Sequence, residues 1–411
     1  MRTFLTRTLR AERHELPALG WSFAYFFLLL ASYYVLRPLR DALAVEMGSE
    51  TLKRLFVVTF AAMILLVPLY GWLASRLPRA RLLPVVYGFF VLNLLAFALE
   101  LHPFVFFVWL SVFNLFVVSV FWSFMSDLFE ARQAARLYGT IAAGGSCGAI
   151  AGPLVAAWIP ESRSLLVAAA ALLAGTVVCI GALARWARKH PRAAEPAAGA
   201  PLGGSILAGA RAALSSPFLL AICGYLLCYT ALSTALYFQQ VEIVRDAVPD
   251  PQARTRLFAS VDLLVNALTL AVQVLAFSRL APLLGPAGML AAVPLLSVAG
   301  FLWLGATPTL AALIAFGVTR RVGEFAISKP AREALFTIVP REERYKAKSF
   351  IDTVVYRGGD AAAGWLFAGV SAFVAAAVAA GWTILALALG ARMKSWTGDD
   401  ARSSRPLQQR R

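Results

Sequence analysis

Charged side chains stand inside or at the edges of long apolar stretches in four places. YYVLRPLRD (33–41) sets Tyr33 one helical turn before Arg37 and Asp41 one turn after it, with Tyr34 and Arg40 alongside. A second group holds Arg320, Arg321 and Glu324, spaced so that the carboxylate can pair with either arginine. A third holds Asp352, Arg357 and Asp360, the last two three residues apart. The fourth is Asp262, Asn266, Thr269 and Gln273, at i, i+4, i+7 and i+11, which draws one polar stripe down a helix. A charge at the centre of a bilayer costs about 2.5–3.5 kcal/mol on insertion scales, so each needs a partner or a ligand. Arginines gathered this way would hold something anionic inside a membrane cavity. Tyr33 or Tyr34 would cap such a site. The carboxylates would hold the arginines while the site is empty, or one would carry a coupling proton. The other account is that the ten charges neutralise one another as gating or structural pairs, and that Arg37 and Arg40 anchor a helix end at the water interface. Their sum is zero, which leaves the sign of any ligand open.

Composition says what must position these groups. Of 411 residues 60% are hydrophobic and 15% charged, against about 45–50% apolar in soluble domains. That is a polytopic membrane protein. The net charge of +16 fits loops that collect basic residues on the cytoplasmic side, so no nucleic-acid partner is called for. Only six of the 38 basic residues are Lys, so arginine in preference to lysine says little about bidentate chemistry here. The four cysteines lie in apolar stretches without metal-like spacing, and the three histidines lie in polar connections. No metal site, disulfide framework or cofactor is expected.

Crossing about 30 Å of hydrocarbon takes about 20 residues. The apolar runs place twelve spans near 18–36, 55–75, 83–101, 104–124, 140–159, 164–184, 218–241, 257–277, 287–306, 309–328, 349–369 and 372–390. The fold class expected is therefore an all-α membrane protein with twelve transmembrane helices in two six-helix halves, 1–184 and 218–391. A basic, Pro/Ala/Gly-rich linker with a possible amphipathic helix (185–217) joins the halves, and a basic tail (392–411) follows. The first apolar run is longer than a signal-peptide core and lacks a small-residue cleavage site, so it reads as an uncleaved span. With the N-terminus inside, 27 of the 38 basic residues fall on the cytoplasmic side and eight opposite, which places both termini in the cytoplasm.

A trace of internal repetition supports the two halves. SRLPRARLLPVV (75–86) after the second span has a counterpart in SRLAPLLGPAGML (278–290) after the eighth. The pair Gly144–Gly145 opens the fifth span, and Gly358–Gly359 lies in the eleventh. Parallel repeats of this kind build many transporters. GGSCG (144–148) matches the Gly-x-Ser-x-Gly of hydrolases in letters only: it sits in an apolar helix with no histidine in any span, so a close-packing face of small residues is the better account. The basic stretch KPAREALFTIVPREERYKAK (329–348) is explained by topology, although Lys329 and Arg332 sit where the tenth span would open to the cytoplasm.

Twelve spans in two halves, inside termini, a long central loop and a basic loop after the second span resemble the major facilitator superfamily. GWLASRLPRAR (71–81) is similar to its loop motif, with Ser75 where Asp is usual. GAIAGPLVAA (148–157) resembles its fifth-helix antiporter motif through Gly148, Gly152 and Pro153, with Ala156 and Ala157 in place of glycines. YYVLRPLRD resembles the first-helix element of the bacterial and plastid ATP/ADP translocase family, with Arg40 where Lys is usual. SKPAREALFTIVPREERYKAKSFIDTVVYRGGD (328–360) resembles a block shared by bacterial proteins near that family. The resemblance implies a substrate role for Arg40, with Arg37 and Asp41 beside it.

The expectation is a secondary transporter in a bacterial inner membrane, working by alternating access and exchanging a phosphorylated anion such as ATP for ADP. The alternatives are a proton-coupled major facilitator for another organic solute, and a non-transporting sensor or scaffold. No enzyme is expected, for want of a nucleophile–base pair or a metal cluster. The candidate substrate-binding residues are Tyr33, Tyr34, Arg37, Arg40, Asp41, Asp262, Asn266, Arg320, Arg321, Glu324, Lys329, Asp352, Arg357 and Asp360. The expected partners are a small anionic solute and the lipid bilayer, with the chain acting as a monomer.

Overall fold

A computed structural model describes residues 12, 14–76, 79–190, 211, 214, 216–336, 339, 347, 348 and 350–403, without the side chains of 67–82, 131, 135, 352, 353 and 394–403. The side chains of the loop motif (71–81), most of the linker and the end of the tail therefore lie outside the described residues. Helices account for nearly all of the rest, and no strand occurs among the described residues. In order they are α1 (Leu16–Arg76), α2 (Arg79–Leu99), α3 (Pro103–Leu128), α4 (Ala131–Trp158), α5 (Ser162–Lys189), α6 (Pro217–Ala247), α7 (Pro251–Ala271), α8 (Phe277–Ala306), α9 (Leu310–Gly323), α10 (Lys329–Leu335), α11 (Tyr356–Leu366) and α12 (Ala372–Ser403). Among the described residues, π-helical turns at Val272–Ala276, Glu324–Ser328 and Ile351–Val355 join or lead into these helices.

Seven helical stretches among the described residues are long and apolar enough to cross a membrane, and α2 adds a shorter apolar one, Leu83–Leu99. Two of the seven, Leu16–Leu66 and Pro251–Ala306, are more than twice the length one crossing needs. Each is broken by a glycine with left-handed backbone, Gly48 (φ 82°) in the first and Gly285 (φ 60°) in the second. A side chain there would be strained, so glycine lets the chain turn back without a long loop. Gly369 (φ 78°) does the same in the short turn between α11 and α12.

The chain divides into two compact units, Met1–Ala198 with Val244–Asn266, and Gly199–Ile243 with Ala267–Arg411. In the first, α1 packs on α4 through a face of small residues. A Cβ on Gly144 would stand 2.5 Å from the Phe23 carbonyl oxygen, and one on Gly152 2.7 Å from that of Ala31. The Ser146 of GGSCG is exposed on this helix and, among the described residues, its hydroxyl bonds to the Ala142 carbonyl at 3.5 Å. Aromatic rings fill the interior beside it: Phe26 stacks on Phe121 at 4.3 Å, and the Tyr25 hydroxyl donates to that of Tyr87 at 2.5 Å. In the second unit, α12 meets α8 where Gly390 lies against Ala287, and α8 meets α9 where Gly300 lies under the Phe316 ring. Gly359 of α11 faces Thr230 of α6, where a Cβ would stand 2.6 Å from the hydroxyl. Both Gly–Gly pairs noted in the sequence thus contribute a glycine to a helix seam, Gly144 with α1 in one unit and Gly359 with α6 in the other.

At the entry to α1, Glu15 is buried to 1% exposure. It accepts from the Gln133 amide at 2.9 Å, the Arg136 guanidinium at 2.9 Å and the Glu12 backbone N–H at 2.8 Å. Gln133 in turn accepts from the Glu130 N–H at 3.0 Å in the capping box that starts α4. Burial alone would raise the Glu15 carboxyl, but these donors and the Arg136 charge outweigh it and hold it below its ordinary 4.5. A group lowered in the folded state stabilises above its unfolded pKa and loses that stabilisation as pH falls through the folded value. Hydrogen bonds to a charged group contribute about 1.5–3 kcal/mol. Glu15→Gln is accordingly expected to melt several degrees below the parent at neutral pH, with the gap closing as pH falls below about 4.5. Thermal melts of both proteins across that range check it.

Candidate functional site

The expected charges gather into two clusters, one in each unit. In the first, the turn that follows Tyr33 carries Arg37 toward Asp262 of α7. The guanidinium Nη1 lies 3.5 Å from Oδ1 of Asp262, which is 2% exposed. Tyr33 and Tyr34 meet edge to face at 5.1 Å, and the Arg37 guanidinium stands 5.9 Å from the Tyr34 ring centre. Arg40 turns the other way: its Nε and Nη2 both donate to Oδ1 of its neighbour Asp41, at 3.0 and 2.7 Å, and its guanidinium lies 5.2 Å from the Phe107 ring centre. One turn on from Asp262, the Asn266 amide donates to the Ala149 carbonyl of α4 at 2.8 Å. At Asp262 and Asn266 the polar stripe faces other helices, one of the two settings, a cavity or another helix, open to such a stripe, and these upper members tie α7 to α1 and α4. Its lower members belong to the second unit, where the Gln273 amide donates to the Phe325 carbonyl at 3.2 Å.

The second cluster centres on α9, its π-helical turn and α10. Arg320 and Glu324 are 4% and 3% exposed, and Arg332 is 8% exposed. Glu324 takes neither arginine of its own helix. The π turn that begins at Glu324 winds its carboxylate toward α10, where Arg332 Nη1 donates to Oε1 at 3.1 Å. The other carboxylate oxygen, Oε2, is buried without a hydrogen-bond partner. Arg320 is held by neutral groups: the hydroxyls of Ser233 (2.9 Å) and Ser297 (3.3 Å) and the Tyr229 carbonyl (3.4 Å). Both guanidiniums lie over the Tyr229 ring, Arg320 at 5.3 Å and Arg332 at 5.9 Å from its centre. Tyr356 approaches Tyr229 at 6.1 Å, and the Tyr225 hydroxyl donates to the Leu290 carbonyl at 3.0 Å. Two buried guanidiniums thus stand beside a wall of tyrosine with one buried carboxylate, which pairs with Arg332. A net positive charge held out of water favours an anion.

The remaining candidates spread out. Arg357 and Asp360 pair loosely at 3.8 Å, both partly exposed. Arg321 is half-buried beside Arg320, Lys329 is exposed, and the Asp352 side chain is outside the described residues. Arg332, Tyr225, Tyr229, Ser233 and Ser297 were absent from the sequence-derived set. Tyr225, Tyr229 and Ser233 recur at i, i+4 and i+8 on α6, the same spacing that exposed the Asp262 stripe. Their hydroxyls read as ordinary helix content because none carries a charge.

Comparison with known proteins follows from this geometry. The family model described as Major Facilitator Superfamily matches residues 21–359. No curated protein matches. Among solved structures, the nucleoside transporter NupG superposes with a TM-score of 0.66 at 13% identity, over 93% of this chain and 100% of that one. A bacterial homologue of the human lysosomal transporter Spinster, inward-facing and unoccupied, gives 0.64 at 13% identity over 93% and 98%. The human organic anion transporter MFSD10 gives 0.59 at 15% identity over 92% and 100%.

Proposed function

The chain belongs to the Major Facilitator Superfamily, and from that premise we propose a secondary transporter that moves a phosphorylated anion by alternating access, with exchange of ATP and ADP as the specific reaction. The observation that carries the choice of an anion is the buried cationic excess of Arg320 and Arg332 over Glu324. An anionic group entering there replaces solvation it has lost with guanidinium donors already fixed in place. Tyr229 and Tyr356 supply aromatic faces suited to a base. The nucleotide itself rests on the resemblance of YYVLRPLRD. In this structure Arg37 and Arg40 are engaged by Asp262 and Asp41, so a phosphate would take over a guanidinium from a carboxylate rather than meet a waiting one. Such an exchange of partners couples binding to the separation of α1 from α7, which the Arg37–Asp262 pair joins. Twelve spans in two halves, a bacterial inner membrane and cytoplasmic termini complete the proposal.

The test is ligand-dependent melting of the purified protein. A ligand that binds only the folded state adds about 2.7 kcal/mol at a hundredfold excess over its Kd. ATP and ADP are expected to raise Tm by degrees, while adenosine, which lacks phosphate, leaves it unmoved. Equal shifts by adenosine would remove the phosphate reading. A second reading has one support of its own. The unpartnered Oε2 of Glu324 is placed to carry a proton, which favours proton-coupled movement of another organic solute.

A further inference from the structure

The second unit holds a cavity that the cluster at Arg320 does not use. The C-terminal parts of α6, α8 and α11, with the start of α12, enclose about 330 Å³ lined by Phe238, Gln239, Glu242, Gly305, Phe367 and Phe373 among others. That volume is at the small end of the ligand-pocket range, about 300–1,000 Å³. Its one charged group is a carboxylate, Glu242, and the acceptor oxygen of Gln239 lies beside it. The Gln239 Oε1 is buried with no hydrogen-bond partner. Glu242 makes no ion pair among the described residues, and none of the lining residues is basic.

Backbone chemistry adds to the same sign. The last carbonyls of a helix lack intrahelical donors and carry the negative end of its dipole. At the end of α8 the donor due to the Leu304 carbonyl would come from Pro308, which has no N–H. The donor due to Gly305 belongs to Thr309, whose N–H goes instead to the Thr307 carbonyl at 2.8 Å. Leu304 and Gly305 both line the cavity; Phe367, which caps α11, lines it too, with its carbonyl already accepting from the Val370 N–H at 3.2 Å. The opposing positive end, at the start of α12, is already met: Val374 N–H donates to the Ser371 hydroxyl at 3.4 Å and Ala375 N–H to the Ser371 carbonyl at 3.1 Å. Phe238, Phe367 and Phe373 complete a wall whose ring faces attract cations.

We propose that this cavity binds a primary ammonium group, carried either by an ethanolamine lipid head group or by a free amine. Unsatisfied acceptors beside a carboxylate favour a donor that is also a cation, so a trimethylammonium group, which has no N–H, fits the charge and leaves Gln239 and the α8 carbonyls unmet. A lipid would run its chains over the neighbouring exposed apolar surface of Trp303, Leu366 and Phe373. The inference is independent of the transported solute.

The experiment uses the full chain in nanodiscs of mixed phosphatidylethanolamine, phosphatidylcholine and phosphatidylglycerol, with retained lipid counted by native mass spectrometry. Removing one partner of a partly exposed charge pair costs up to about 1 kcal/mol, or about fivefold in occupancy. Phosphatidylethanolamine should be retained over the other two by about that factor, and the preference should vanish in Glu242→Gln and in Gln239→Leu. Added ethanolamine that displaces the lipid and raises Tm assigns the site to free amines; retention unaffected by ethanolamine assigns it to the head group. Equal retention of the three lipids with no response to ethanolamine would overturn the proposal, as would a preference that survives both substitutions. Glu242 is exposed, so its neutralisation leaves the fold intact.

Discussion

Arg320→Ala is expected to abolish nucleotide entry into proteoliposomes, by about a hundredfold or more, while the protein still elutes as a folded species. The guanidinium is held by two hydroxyls and a carbonyl, so its loss leaves neutral groups that can bond elsewhere and strands no opposite charge. What disappears is the positive excess, leaving Glu324 and Arg332 as a neutral pair. An anion brought to that pair would be buried without compensation, a penalty of several kcal/mol, and each 1.4 kcal/mol is a factor of ten. Arg320→Lys keeps the charge and surrenders the planar fork, so partial activity is expected to return. Arg332→Ala gives a different outcome. It strands Glu324 as a buried charge, a loss of about 3–5 kcal/mol, so this variant should fall in yield and Tm as well as in transport. The two alanine variants measured side by side, for uptake and for melting, separate a ligand-binding guanidinium from a structural one.

The second large effect concerns folding alone. Gly148→Val and Gly152→Val are expected to prevent recovery of folded protein from detergent extracts. At Gly148 an added Cβ would run into the Phe27 carbonyl, and at Gly152 it would stand 2.7 Å from the Ala31 carbonyl and from Tyr34 Cβ. The carbonyls are backbone of α1 and Tyr34 Cβ is fixed directly to it, so none can rotate aside and the whole seam must open. Overpacking typically costs about 1–3 kcal/mol even where side chains can move. Gly181→Val is the internal contrast, because a Cβ there meets nothing within 4 Å. Size-exclusion profiles of the three variants check the expectation, with Gly181→Val running as the parent.

Sequence and structure agree where one physical rule decides the outcome. Long apolar runs had to become helices, and the Gly144–Gly152 face had to pack closely because small residues in lipid have no other use. The i, i+4 spacing of Asp262 and Asn266 called for a cavity or another helix on that side, although it could not say that Arg37 and the Ala149 carbonyl would meet them. Glu324 shows the limit. Ideal helical geometry allows it Arg320 or Arg321, but its partner is Arg332, whose register relative to Glu324 the intervening π turn, Glu324 to Ser328, shifts by one residue. A π turn of this kind has no simple signature in residue types, so the pairing was not legible. Arg40 repeats the lesson on a smaller scale, because its nearest carboxylate proved to be its immediate neighbour Asp41. Tyr229 was overlooked for another reason: an uncharged ring becomes part of a site only when two guanidiniums are folded over it.

The most direct test of the central claim is counterflow. Purified protein is reconstituted into liposomes preloaded with unlabelled ADP, and entry of labelled ATP is followed against liposomes preloaded with buffer. Entry that depends on preloading and is lost in Arg320→Ala is the predicted result, and it identifies an exchanger whose buried guanidiniums receive the phosphates. Entry that ignores preloading, or no entry while the protein is shown to be folded, would contradict nucleotide exchange.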